Sequence, residues 1–332
     1  LATFISENIY MPFFIPIKNN YLIFATCLIL YIIFILLLSK KFKATIFFCL
    51  LFFINLIIIY WPSSSLFIYS LSVGQGDSTL IQTSNKKNIL IDAAGNILSK
   101  FDPGKMLIVP LLKRRGVEKI DLLIVTHPDA DHILGFLAVL DNFTVSEIWL
   151  SRTDIDNENL RLFLHKVAKQ KPQPIIKTLP LIYNTHDIDD LKIEVLYPQY
   201  YNDSMSLNNN SLVIKLFYNN IAMLWPGDIE MVAENILLDS HINLQADILK
   251  APHHGSKSSS SDKFIEAVNP KTVIFSTGLH NRFNFPHQEV VQKYQKNNCQ
   301  ILDTAKDGEI IIEISEEKLI VTTYKNSYQQ NF

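Results

Sequence analysis

The densest chemistry in the chain is Thr126-His127-Pro128-Asp129-Ala130-Asp131-His132, four ligand-type side chains on one loop. Imidazole nitrogens and carboxylate oxygens packed this closely suit divalent metals. A second site signal is Trp225-Pro226-Gly227-Asp228, where the glycine permits a sharp turn and a carboxylate follows it. A third is Ala251-Pro252-His253-His254-Gly255-Ser256-Lys257. Adjacent histidines project in different directions, so one can ligate a metal while its neighbour addresses a substrate.

Each of these segments follows a short apolar run with strand character, namely Asp121–Val125, Ile221–Trp225 and Ile248–Lys250. Further strands are expected at Leu66–Val73, Ser78–Gln82, Asn88–Ile91, Glu147–Leu150, Leu191–Tyr197, Leu212–Tyr218, Thr272–Ser276 and Glu309–Ile314. Helices are expected at Ile133–Leu140, Asn157–Lys169, Ile229–Asp239, Asp262–Ala267 and His287–Asn297. Antiparallel strands followed by strand–helix alternation predict a layered α/β sandwich with helices on both outer faces.

The N-terminal part is of another kind. Residues 21–38 and 44–61 are uncharged apolar runs, each of about 18 residues or roughly 27 Å as a helix, joined by Ser39-Lys40-Lys41-Phe42-Lys43. They predict a transmembrane hairpin within 1–61, with the lysine turn cytoplasmic and the rest of the chain on the extracytoplasmic side. A linker at 62–65 then leads into one domain over 66–332. The chain starts with Leu1 rather than Met, which points to a piece of a longer membrane protein. The 332 residues carry a net charge of −2, and the part after residue 61 is more acidic, with 26 basic and 31 acidic residues. That balance argues against a protein that coats nucleic acid through a basic surface. Three cysteines, only Cys299 of them beyond the apolar end, exclude a disulfide scaffold.

The order His-x-Asp-x-Asp-His, Gly-Asp, His-His-Gly-Ser resembles the metallo-β-lactamase superfamily, and more narrowly the C-terminal domain of the ComEC family of bacterial competence proteins. Val73-Gly74-Gln75-Gly76-Asp77-Ser78, Ile89 to Gly95, Asn210 to Val213 and Asn284-Phe285-Pro286-His287 carry the likeness further along the chain. The resemblance implies an αββα sandwich with a metal site at one edge, preceded by the end of a membrane channel region. It implies two divalent ions, manganese or zinc: His127 and Asp129 on the first, Asp131, His132 and His254 on the second, and Asp228 bridging. Asp92 would support the loop by hydrogen bonding, and Asp77 would either do likewise or serve only the turn that carries it. His253, Ser256, Lys257 and His287 would face a substrate phosphate, with His253 protonating the departing oxygen. The implied partners are DNA, the membrane and the remainder of a competence channel, and the implied activity is hydrolysis of the DNA strand that is not transported. Hydrolysis of a lactam, lactone or phosphorylcholine ester, or a non-catalytic DNA-binding or channel-bracing module, are the alternatives. The sequence departs from the superfamily pattern at Asp129, where histidine is commoner, and at Asn208 to Ser211, where a further histidine ligand is often found.

Overall fold

A computed structural model describes residues 20–60, 65–95, 101–154, 156–180, 182–315, 318–323 and 327–330. The chain divides into two compact units, one holding the N-terminal helices and the other nearly all of the chain from Ser64 on.

In the first unit, helices α1 (Asn20–Leu38) and α2 (Phe42–Tyr60) form a hairpin. The Ser39 hydroxyl donates to the Ile35 carbonyl at 2.8 Å and Lys40 takes a left-handed φ of 53°, which together close the turn. Asn55 Nδ2 donates to Thr26 Oγ1 at 2.8 Å and ties the two helices. Among the described residues no helix is long and apolar enough to cross a membrane. The crossings expected at 21–38 and 44–61 fall on these two helices and are not shown by the described residues. The side chains described in the two helices cover 24–38 and 42–57, short of the roughly 20 residues a crossing needs, and the outer ends of both expected spans lie outside them. Most of the expected linker, residues 62–64, also lies outside the described residues.

The second unit is a sandwich of two sheets. One, among the described residues, runs β16-β15-β14-β1-β2-β3-β4-β5-β6, with β1 Leu66–Ser70, β2 Thr79–Gln82, β3 Asn88–Ile91, β4 Lys119–Ile124, β5 Thr144–Trp149, β6 Ile175–Lys177, β14 Ile310–Ile314, β15 Leu319–Thr323 and β16 Ser327–Gln330. The other runs β13-β12-β11-β10-β9-β8-β7, with β7 Asn184–Ile188, β8 Leu191–Tyr197, β9 Val213–Tyr218, β10 Ile221–Trp225, β11 Ile248–Lys250, β12 Thr272–Phe275 and β13 Gln300–Asp303. Strand alternation sends Leu66, Ile68, Ile89 and Ile91 of one sheet against Ile193, Leu216, Met223 and Trp225 of the other. The opposite faces are covered by helices. On the first sheet, α3 (Val109–Arg114), α4 (Ala130–Ile133), α5 (Phe136–Asn142) and α6 (Glu158–Val167) contribute Leu112, Ile133, Phe136 and Phe163. On the second, α7 (Met231–Asp239), α8 (Asp262–Val268) and α9 (Gln288–Lys296) contribute Leu237, Phe264 and Tyr294. The result is the expected four-layer αββα order.

The expected helix at Ile133–Leu140 is divided. Gly135 N–H donates to Ala93 O at 2.8 Å, and a Cβ at Gly135 would stand 2.4 Å from the Ala94 carbonyl oxygen, so the helix can approach the end of β3 only there. Strands β3 to β6 and β10 to β13 are parallel runs. Their carboxyl ends present the loops that carry the polar cluster, the place where open α/β sheets gather ligands.

Candidate metal centre

Asp92 is the first residue after β3 and adopts φ 55°, which turns its carboxylate across the strand ends. It accepts hydrogen bonds from Thr126 N at 2.8 Å, from Thr126 Oγ1 at 2.7 Å and from His132 Nδ1 at 2.9 Å. The loop after β4 is thereby pinned, and His132 is held with its Nε2 facing Asp228 Oδ2 at 3.3 Å. His127, on the same loop, is buried beside it with ring centroids 4.1 Å apart. His127 Nε2 lies 3.6 Å from Asp129 Oδ2, and Asp131 Oδ2 lies 3.6 Å from His254 Nε2.

From the other sheet, Gly227 turns the chain after β10 with φ 60°, and Asp228 N donates to Ser211 Oγ at 3.2 Å. Asp228 Oδ2 is 3.3 Å from both His132 Nε2 and His254 Nε2. After β11, His253 and His254 both take left-handed φ, 49° and 53°, which throws their rings to different sides. His254 Nδ1 donates to the Ser276 carbonyl at 2.9 Å, at the end of β12, so its Nε2 is the free face. Three buried nitrogens, His127 Nε2, His132 Nε2 and His254 Nε2, thus have no hydrogen-bond partner. Buried polar atoms left unpaired in this way call for a ligand, and imidazole with carboxylate donors fits a divalent ion.

One four-residue set, Asp77, His132, Asp228 and His254, places its donor atoms within 4.8 Å of one another. Asp77 approaches the two rings through their Nδ1 atoms, at 3.7 and 3.6 Å, which already serve Asp92 and Ser276. Its Oδ2, the oxygen on the His132 side, also pairs with the ammonium of Lys250. Asp77 therefore braces the cluster from behind, while the Nε2 atoms and Asp228 Oδ2 face the centre.

The electrostatics favour positive charge here. Burial alone would raise the Asp228 carboxyl, but His132, His254 and Lys250 outweigh it and hold it well below the usual range. At Asp131 burial is likewise outweighed, by the imidazole of His254 at 3.6 Å and by that of His132, and the carboxyl stays well below its ordinary value. Burial would lower His254, yet Asp228 and Asp77 push it up to about 9. His132 is raised in the same way by Asp228 and Asp92 against its burial.

The residues expected on the substrate side divide. His253 is part-exposed, with Nε2 3.9 Å from Asp228 Oδ2 and Nδ1 3.3 Å from Ser258 Oγ and 3.6 Å from Glu230 Oε1. Burial lowers its pKa despite Asp228. His287 lies at the same mouth, its Nδ1 3.3 Å from Gly255 O and its ring against Phe285. Ser256 is buried and bonds Ser258 at 3.0 Å, and Lys257 is at the surface, paired with Glu289 at 3.3 Å. Sequence reasoning missed Lys250 as part of the cluster. It is buried, with Nζ on Asp77, on Asp228 Oδ1 at 3.3 Å and on Gly227 O at 3.4 Å. The only forewarning was its place at the end of an apolar strand. Asn209 and Ser211, in the segment without a histidine ligand, hold the scaffold instead: Asn209 Nδ2 donates to Glu230 Oε2 at 2.9 Å, and its Oδ1 accepts from Glu230 N and Ala233 N.

The model of the metallo-beta-lactamase superfamily matches residues 71–279, which include every one of these side chains except Phe285, His287 and Glu289. ComE operon protein 3 of Bacillus subtilis is 30% identical over 253 residues, 72% of this chain and 32% of that protein. Recombination protein 2 of Haemophilus influenzae is 27% identical over 78% of this chain and 30% of its own length. Competence protein ComA of Neisseria gonorrhoeae is 28% identical over 71% and 30%. The chain spans about a third of the length of these curated relatives. The chain belongs to the metallo-β-lactamase superfamily, and its relatives are ComEC-family competence proteins.

Proposed function

We propose that the chain is a membrane-anchored, extracytoplasmic, metal-dependent nuclease that hydrolyses DNA phosphodiesters during DNA uptake and degrades the non-transported strand. The observation that carries this reading is the convergence of unpartnered, buried imidazole nitrogens on Asp228 at the open edge of the sandwich. His127 and Asp129 would hold one ion, Asp131, His132 and His254 a second, and Asp228 would be shared. Bound there, two divalent ions, manganese or zinc, would supply an activated water near neutral pH and offset charge on the phosphoryl group. Asp92 and the Ser276 carbonyl fix which nitrogen of His132 and His254 is presented. His253, when protonated, can pass a proton from Nε2 to the departing oxygen, while its Nδ1–H faces Ser258 Oγ at 3.3 Å and Glu230 Oε1 at 3.6 Å.

A membrane setting is supported by the hairpin itself, which exposes Phe24, Phe34, Phe47 and Phe53 to its surroundings, an apolar surface that water disfavours. Competence-protein relatives support DNA and the rest of an uptake channel as partners.

Incubating the chain with labelled single- and double-stranded DNA, with manganese, zinc or EDTA, and beside an Asp131→Ala variant, tests the reading. Cleavage should require metal and be lost in the variant. Cleavage in EDTA or by Asp131→Ala would overturn it, and turnover of nitrocefin with DNA left intact would favour a different hydrolase.

A further inference from the structure

A loop beyond β12 brings a stack of flat side chains from solvent to the metal centre. Phe285 lies beside His254 with centroids 6.3 Å apart and planes 25° apart, and edge-on to His253 at 5.7 Å. Phe283 stacks on Phe285 at 5.3 Å with an interplanar angle of 18°. The Arg282 guanidinium covers Phe283 at 4.7 Å. Phe283 is 42% exposed and the adjacent Leu279 is 71% exposed. Neither belongs to the core, and the Phe283 ring, packed on one neighbour, stays open to solvent beside a polar site.

The loop is held without help from any ligand. Asn281 Nδ2 donates to Gly278 O at 3.0 Å and Phe285 O at 2.7 Å, and Phe285 N donates to Asn281 Oδ1 at 2.8 Å. Arg282 is exposed, and among the described residues no carboxylate pairs with it, whereas Lys257, the cation expected at this mouth, is neutralised by Glu289. An aromatic face with an uncommitted guanidinium is the pairing that receives a base and its phosphate in single-strand binding.

We propose that Phe283 with Arg282 forms a stacking platform for an unpaired nucleobase of the substrate strand, two rings out from His254. Arg282 leaves the ring for a backbone phosphate as the base settles on Phe283. This inference rests on the nuclease reading above and adds to it the place where a base, rather than the phosphodiester, is held.

Fluorescence anisotropy of the full chain, with calcium as the only divalent ion, tests it on a labelled single-stranded oligothymidylate and on the same backbone made abasic. Phe283→Ala should weaken the base-bearing strand about tenfold, the scale of one base–aromatic contact, and the abasic strand by less than about twofold. Phe283→Tyr should restore the binding and so separates stacking from folding. Equal loss on both strands, no loss on either, or failure of Phe283→Tyr to restore binding overturns the platform. The two readings fail separately. If the parent chain shows the stacking pattern but leaves DNA intact with manganese, the nuclease reading falls and the platform stands. If it cleaves DNA and Phe283→Ala binds as the parent does, the platform falls alone.

Discussion

The two sides of the metal centre draw on the same residue types and differ in what stands behind them. On the side of His132, His254 and Asp228, each of these three has its second atom fixed: Asp92 holds one ring, the Ser276 carbonyl the other, and Lys250 with the Ser211 hydroxyl the carboxylate group and its backbone. All three donors are almost fully buried. On the side of His127 and Asp129, the one side-chain hydrogen bond to the His127 ring among the described residues is at Nδ1, with the neighbouring Thr126 hydroxyl at 3.2 Å. The Asp129 carboxylate is 40% exposed and, among the described residues, meets only His127. A donor whose orientation is already fixed binds an ion without first being ordered, so affinity at such a centre depends on the supporting partners as well as on the donors.

That contrast is broken most severely at Asp92. Asp92→Asn keeps the shape but loses the charge that fixes the His132 tautomer, and it should lower metal affinity and DNA cleavage by about 10–100-fold. Metal titration followed by competition with a chelator measures the affinity directly. An affinity within about twofold of the parent would mean that His132 needs no such support.

A smaller effect is expected on the looser side. Asp129→Ala removes a donor that is half in solvent, and its cost should sit near the tenfold end of the same range and be recovered by raising the metal concentration. Activity against manganese concentration, compared for Asp129→Ala and Asp92→Asn, sharpens the contrast. A larger and unrecoverable loss at Asp129 would reverse the order of the two sides.

Much of this arrangement was legible in the chain. Strands β3, β8, β10 and β11 have the bounds read from their apolar runs, and the His127–His132, Gly227–Asp228 and His253–His254 segments fall at strand ends as expected. Local pattern suffices there because alternation and a turn residue are neighbours in sequence. The support is different. Asp92 reaches Thr126 and His132, Lys250 reaches Asp77 and Asp228, and His254 reaches Ser276, all contacts between separate strand ends that no local spacing encodes. β7 was missed because Asn184–Ile188 is a largely polar strand at a sheet edge, with no buried face to impose alternation. The helical hairpin was legible as two apolar helices.

The smallest effect tests whether order at the centre is local or is inherited from the sheet beneath. Asp121 lies on β4 towards the end opposite the metal loops, where its carboxylate accepts from Asn88 N at 3.0 Å and pairs with Lys87 at 3.1 Å and Lys119 at 3.0 Å. Burial would raise its pKa, but the Asn88 hydrogen bond and the two lysines outweigh burial and bring the pKa below the ordinary carboxylate value of 3.8. Ionised Asp121 therefore favours the folded chain at pH above 3.8, and that contribution is lost as pH falls through the lower folded-state pKa. Asp121→Asn should cost about 1 kcal/mol at neutral pH, since the lysine heads are largely in water and the backbone contact carries most of the effect. The difference from the parent in denaturant unfolding should shrink in acid below that pKa. Metal affinity should stay within about twofold of the parent, because the braces that orient His132 and Asp228 are untouched. A loss of metal affinity as large as that of Asp92→Asn would show that the centre takes its order from the whole β3–β4 pair, and the contrast between its two sides would then be one of distance from the sheet rather than of support.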